Sequence, residues 1–122
     1  MKTFARTLLS IALICCGSTL AVAGDLVLDV SDSWTKIEAG ATVIDVRSAE
    51  EFASGHLRNA INIPHDQIDS RVQELGDNKQ KAIILYCKSG RRAGLAQESL
   101  KAHGFTNSNN AGAYNSLAEQ KR

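Results

Sequence analysis

The sequence has no strong excess of charge of either sign. Its 122 residues contain 14 basic and 13 acidic side chains, which gives a formal net charge of +1 at pH 7. A global attraction to nucleic acid or to an anionic membrane surface is therefore not indicated. The sequence also contains no internal repeat and no low-complexity linker, so nothing in it divides the chain into modules.

An apolar run long enough to span a membrane is also missing. The N-terminal run at 8–16 ends in a small polar stretch, whereas a membrane-spanning helix needs about 20 apolar residues. The run follows Lys2 and Arg6 and precedes an Ala-Val-Ala sequence ending at Ala23, and these are the three parts of a secretory signal peptide. We predict that residues 1–23 are a signal peptide cleaved after Ala23, and that the protein is exported to the periplasm without stable membrane association.

Residues 24–122 would then form one compact domain of 99 residues, which is too short for two hydrophobic cores. Loss of the signal peptide leaves 12 basic residues against 13 acidic ones, so positive charge matters only locally. We expect the domain to be a monomer.

Cysteine is scarce, and its positions are informative. Cys15 and Cys16 belong to the predicted signal peptide, so Cys87 would be the one thiol of the exported domain. A single cysteine excludes an intramolecular disulfide and is either a buried bystander or a reactive group. Its place between an apolar segment and a Gly-Arg-Arg sequence favours the reactive interpretation. The three histidines show no metal-ligand spacing, so we expect no zinc site.

Apolar segments and capped helical segments alternate along the chain. The segment at 42–46 has the composition of a strand buried on both faces. A capping box of Ser48 and Glu51 predicts a helix after it, and Ser31 or Ser33 is expected to cap an earlier helix. We predict strands at 25–30, 42–46, 60–63, 82–86 and 106–109 with helices between them, and hence an α/β fold with a mainly parallel central sheet flanked by helices.

Cys87 directly follows the predicted strand at 82–86, and in open α/β sheets ligands bind at the carboxyl ends of the strands. Backbone N–H groups of the next turn and the positive end of the following helix would favour the thiolate, which is the nucleophilic form of cysteine. Gly90 allows a tight backbone path there. The residues that we predict to bind an anionic substrate at this turn are Lys88, Ser89, Gly90, Arg91 and Arg92.

Asp45 and Arg47 lie at the end of the neighbouring predicted strand, where they could line the rim of the same site. A pairing of Arg47 with Asp45 or Glu51 as a structural brace explains them more simply. We therefore leave both out of the predicted substrate-binding set.

A cysteine phosphatase or arsenate reductase also needs a thiolate in an anion-binding loop. Its C-x5-R pattern would require arginine at position 93, where the sequence has Ala93. The shorter spacing from Cys87 to the arginines favours a single sulfur atom over a phosphoryl group with three oxygens. A non-catalytic binding module or sulfur carrier with the same fold is the other alternative, and the intact cysteine argues against an inactive module but not against a carrier.

Four groups of segments along the chain carry a combined pattern: 43–47 with Glu51-Phe52, Gly55-His56-Leu57 with 60–64, 86–92, and Gly104-Phe105 with 110–112. Taken together, these segments resemble those of the single-domain rhodaneses, which are thiosulfate sulfurtransferases, and the short exported form is similar to the periplasmic phage-shock type of that family. Three residues depart from the family pattern: Asn59 stands where glycine is usual, Ala113 replaces a second glycine, and Leu117 stands where tryptophan is frequent.

The resemblance implies a rhodanese-like three-layer fold and a particular reaction. In that reaction Cys87 would attack the outer sulfur of thiosulfate, release sulfite and become a persulfide. The persulfide would then pass its sulfur to cyanide or to a thiol acceptor. No metal or organic cofactor is implied.

Overall fold

The computed structural model describes residues 26–120, which form a four-stranded parallel sheet with helices on both faces. The strands are adjacent in the order β2, β1, β3, β4. Short 3-10 turns precede and follow α3. The helices are α1 (Val30–Glu38), α2 (Ala49–Ala53), α3 (Ile68–Arg71), α4 (Arg91–Ala102) and α5 (Tyr114–Glu119), and the strands are β1 (Thr42–Asp45), β2 (Ile61–Asn62), β3 (Ile83–Cys87) and β4 (Ser108–Ala113).

Alternate side chains of β3 point to opposite faces of the sheet, as a strand requires. On one face Ile83, Leu85 and Cys87 pack with side chains from α3 and α4. On the other face Ile84 and Tyr86 pack with side chains from α1 and α5. All five residues of the strand are buried, as the apolar run predicted for a central parallel strand. The α/β fold with a parallel sheet between two helical layers is thus confirmed.

The prediction at the N-terminal end of the domain is wrong in its details. The predicted strand at 25–30 is reduced, in its described part, to an isolated bridge between Val27 and Asn110. Val30 already belongs to α1, because the carboxylate of Asp29 accepts a hydrogen bond from the Ser31 N–H at 3.1 Å and caps the helix there. Neither Ser31 nor Ser33 is the cap. The last strand also starts later than predicted, at Ser108.

One local prediction and one departure from the family pattern lie between β1 and β2. The capping box is present, since the Ser48 hydroxyl accepts from the Glu51 N–H and the Glu51 carboxylate accepts from the Ser48 N–H. Asn59 has a φ of 64°, a left-handed conformation that asparagine adopts more readily than most residues. This conformation explains why glycine is usual at that position in the resembling family.

The predicted signal peptide, residues 1–23, lies outside the described residues. Within 26–120, no helix has both the length and the apolar character needed to cross a lipid bilayer.

Candidate active site

Cys87 is the last residue of β3, and its side chain has no exposed surface. The loop at 88–90 follows, and α4 begins at Arg91. The Gly90 N–H donates a hydrogen bond to Cys87 Sγ, with N and S 2.9 Å apart. A donor aimed at the sulfur stabilises negative charge on it, and the N-terminal end of the twelve-residue helix α4 adds positive potential at the same place. As predicted, the Cys87 thiol therefore lies beside the loop and the N-terminal end of α4.

Gly90 is the residue that lets the chain turn from the loop into the helix. Its φ of 95° lies in the left-handed region, and it occupies the N-cap position of α4. A Cβ atom at Gly90 would also lie 3.3 Å from the Gly112 Cα on β4. The conformation favours glycine here, and the close approach of the two backbones leaves little room for a side chain.

The structure separates the predicted cations of the loop into two groups. Lys88 and Arg91 are exposed, and within the described part of the chain their side chains have no hydrogen-bond or ion-pair partner. Arg92 is half-buried and its guanidinium binds the Glu51 carboxylate, with Nη1–Oε1 and Nη2–Oε2 distances of 2.7 and 3.0 Å. The pKa of Arg92 is raised, chiefly by this hydrogen bond, and its charge also interacts with Cys87. Arg92 thus lies within electrostatic reach of the sulfur.

A pocket of about 270 Å³ lies beside the loop. Lys88 is its unpaired cation, and the pocket is open to solvent, so a small anion could enter it. Ser89 is exposed and is not among the lining residues. Because Cys87 is fully buried, contact between the sulfur and a substrate requires movement of the loop or of neighbouring side chains. The lining residues are Arg47, Glu51, Ser54, Lys88, Tyr114 and Asn115.

The predicted pairing of Arg47 with Asp45 is confirmed, and Arg47 also lines the pocket beside the loop. Its Nη2 lies 2.6 Å from Asp45 Oδ2 and also donates to the Gly55 carbonyl at 2.6 Å. The Asp45 side chain is fully buried and that of Arg47 is 7% exposed. The hydrogen bond to Asp45 raises the pKa of Arg47, and the Tyr114 ring covers the guanidinium at 4.4 Å from its centroid. Arg47 holds the end of β1 to the loop after α2.

Tyr86, the residue before the cysteine, is also structural. Its hydroxyl accepts a hydrogen bond from the Leu57 N–H at 3.0 Å. Burial is the largest influence on this phenol and raises its pKa far above the ordinary value. Tyr86 is therefore held in its neutral form, with its hydroxyl bound to the backbone of Leu57.

Two residues that contact the loop or the first turn of α4 were not predicted as part of the site. Glu51 was identified as a helix-capping residue, as a possible partner of Arg47 and as part of a matching segment, and Asn110 only as part of a matching segment. Asn110 donates from its side chain to the Gly90 carbonyl at 2.9 Å. No spacing rule indicates such contacts, because the partners are far apart in the sequence. Within residues 26–120, no group of three or more potential metal ligands is close enough to hold an ion.

Comparisons with known proteins agree with this geometry. The family model of the rhodanese-like domain matches residues 29–120. The chain is 36% identical over 78 residues to the thiosulfate sulfurtransferase PspE of Escherichia coli (strain K12), a match that covers 64% of this chain and 75% of that protein. A human single-domain sulfurtransferase, TSTD1, superposes with a TM-score of 0.69 and 26% identity over 79% of this chain and 97% of that one.

A second solved structure is a rhodanese with anions from E. coli, which superposes with a TM-score of 0.61 and 34% identity. That match covers 65% of this chain and 93% of the other. The family model spans all the described strands and helices, including the cysteine loop between β3 and α4. The chain therefore belongs to the rhodanese-like family of sulfurtransferases.

Proposed function

We propose that the protein is a thiosulfate sulfurtransferase in which Cys87 carries the transferred sulfur as a persulfide. The Cys87 thiolate attacks the outer sulfur of thiosulfate and forms a new S–S bond. The S–S bond of thiosulfate breaks, and sulfite leaves with the electron pair. Cyanide or a thiolate then attacks the outer sulfur of the persulfide, and the Cys87 thiolate is restored. No external oxidant or reductant enters the balance.

The observation that carries the proposal is the hydrogen bond from the Gly90 N–H to Cys87 Sγ, 2.9 Å long, at the start of α4. A thiolate is both the attacking group of the first step and the leaving group of the second, so the same donor assists both steps. The likeness to PspE, whose name gives the same reaction, supports thiosulfate as the donor.

The substrate anion binds first to the cations without internal partners. Lys88 lines the pocket beside the loop, and Arg91 stands at the first position of α4. Their charges attract thiosulfate and stabilise sulfite as it leaves. Ser89 and the backbone of Gly90 complete the loop around the sulfur. Arg92 contributes electrostatically while it stays bound to Glu51.

The reaction is tested with purified protein, thiosulfate and cyanide, by following thiocyanate. Cys87→Ser should abolish turnover, and thiosulfate alone should add one sulfur atom to Cys87, visible by mass spectrometry. The exposed Ser70 on α3 is far from the loop in sequence and provides Ser70→Ala as a control that should retain full turnover. Equal thiocyanate production by Cys87→Ser would overturn the assignment.

The purified protein also distinguishes sulfur transfer from the two alternative functions, a sulfur carrier and a phosphatase. A sulfur carrier would take no sulfur from thiosulfate but would become a persulfide when a protein persulfide donor is supplied. A phosphatase would leave Cys87 unmodified and hydrolyse an aryl phosphate. Either outcome would replace thiosulfate sulfur transfer as the function.

The second part of the proposal is that the signal peptide at 1–23 directs export to the periplasm. The exported protein then consists of residues 24–122. Expression in a bacterium should give a periplasmic protein that begins at Gly24, as measured by mass spectrometry. Ala23→Tyr should block processing, because the residue before the cleavage site must be small. A cytoplasmic protein of full length would contradict export.

A further inference from the structure

Asn110 joins the cysteine loop to the last strand of the sheet. Its side chain is buried within β4. The amide nitrogen donates to the Gly90 carbonyl at 2.9 Å, and the amide oxygen accepts from the Gly112 N–H at 2.9 Å. Both polar atoms of the side chain are thus used, one on the loop and one on its own strand.

Asn110 binds the carbonyl of Gly90, and the N–H of the same residue contacts the sulfur. The Gly90 N–H donates to Cys87 Sγ, and the Gly90 carbonyl accepts from Asn110 and from the Gly94 N–H at 3.0 Å. The two peptide planes meet at the Gly90 Cα atom. Because glycine rotates more freely about its backbone bonds than any other residue, a fixed carbonyl restricts the rotations that would turn the N–H away from the sulfur.

The backbone of Asn110 is also held by a hydrogen bond from another segment. The Leu28 N–H donates to the Asn110 carbonyl at 2.7 Å, which ties the segment before α1 to the strand. The backbones of Gly90 and Gly112 are in close contact, so the loop packs directly on the end of β4. Asn110 is therefore held in place where it contacts the loop.

We propose that Asn110 is a positioning residue for sulfur transfer: by holding the Gly90 carbonyl it keeps the Gly90 N–H on Cys87 Sγ. It touches neither substrate nor sulfur. The role in turnover rests on the proposed function, but the effect on Cys87 is a property of the thiol alone and is measurable without any sulfur donor.

Two substitutions isolate the contact. Asn110→Asp has the same shape and keeps the acceptor for the Gly112 N–H, but it places an oxygen against the Gly90 carbonyl. Asn110→Ala removes the donor without adding charge. Asn109→Asp is the matched control, because it adds the same charge one residue away, where the Asn109 amide bonds to Asn107 and Ile83 and not to the loop.

The measurement is the rate of Cys87 alkylation by iodoacetamide at neutral and at alkaline pH. Loss of the donor from the thiolate should lower the neutral rate relative to the alkaline rate by about tenfold in both Asn110 variants, since hydrogen bonds to charged groups contribute about this factor or more. Simple loosening of the loop would increase access to the sulfur equally at both pH values and leave the ratio unchanged. Asn109→Asp should keep the wild-type ratio.

An unchanged ratio in Asn110→Asp and Asn110→Ala, with Asn109→Asp also unchanged, would overturn the proposal. Cooperative thermal unfolding establishes that each variant is folded, and if Asn110→Ala does not fold, Asn110→Leu, which is similar in shape and also adds no charge, decides the question. In turnover with thiosulfate, the Asn110 variants should lower kcat and leave KM unaltered. Failure of wild-type turnover with a shifted alkylation ratio would reject thiosulfate as the donor and keep the role of Asn110.

Discussion

Glu51 binds both terminal nitrogens of Arg92, at 2.7 and 3.0 Å, across 41 residues of sequence. The same carboxylate accepts from the Ser48 N–H in the capping box of α2. One side chain thus connects the start of α2 to the start of α4, next to the cysteine loop. Arg92 has the residue type of a substrate-binding cation, but in this arrangement its charge is already matched.

This pairing predicts that Lys88 contributes more to thiosulfate binding than Arg92. Lys88→Ala should raise the KM for thiosulfate by about tenfold, as expected for a lost contact between charged groups. Arg92→Ala should raise it less, because Arg92 is bound to Glu51. Steady-state kinetics at several thiosulfate concentrations measure both values. A larger effect of Arg92→Ala would show that substrate draws Arg92 away from Glu51.

The ion pair also predicts how stability depends on acid. Arg92 chiefly, together with the hydrogen bonds from Ser48, lowers the pKa of Glu51 to about 2, although burial acts in the opposite direction. Because the folded-state pKa is depressed below the ordinary value of 4.5, the stabilisation is complete above that pH and is lost as the pH falls towards about 2. The difference in free energy of unfolding between wild type and Glu51→Gln should shrink over this range.

Urea denaturation of both proteins at a series of pH values measures that difference. Glu50→Gln removes an exposed charge from the same helix and serves as the control. A difference that stays constant down to the lowest pH would contradict the role of Glu51.

Asp45 and Arg47 predict a large loss of stability when the pair is broken. Asp45→Asn should lower the free energy of unfolding by about 3–5 kcal/mol, because it leaves the guanidinium buried without its counter-charge. The exposed pair of Arg71 and Glu74 provides the comparison, and Glu74→Gln should cost much less than Asp45→Asn. Chemical denaturation measures both, and equal losses would contradict the brace.

The left-handed conformation of Asn59 should have a small effect on the stability of variants at this position. With a φ of 64°, Asn59→Ala should be about 1–2 kcal/mol less stable than Asn59→Gly, since only the alanine must accept the left-handed conformation at a cost. Thermal and urea unfolding of the two variants measure the difference. Equal stability would mean that the turn rearranges when alanine is present.

Local features of the sequence predicted most of the architecture. Apolar runs of strand length, the Ser48–Glu51 capping box and the position of Cys87 after a buried run identified the α/β sheet and the loop that follows β3. Where two local signals competed the prediction was wrong, as at residues 25–30, where the Asp29 cap starts a helix inside a segment that alternates like a strand.

By itself, the sequence determined the parallel α/β class, the cysteine at the end of a strand and the basic loop after it, because periodicity, capping and composition act between near neighbours. Only the tertiary structure decided which cations remain unpaired and what supports the loop. Glu51 meets Arg92 across 41 residues and Asn110 meets Gly90 across 20, and such contacts depend on strand order and on the packing of α2, β4 and α4. Charge and hydrogen-bonding capacity are properties of a residue, but their use depends on the partner that the fold brings to it.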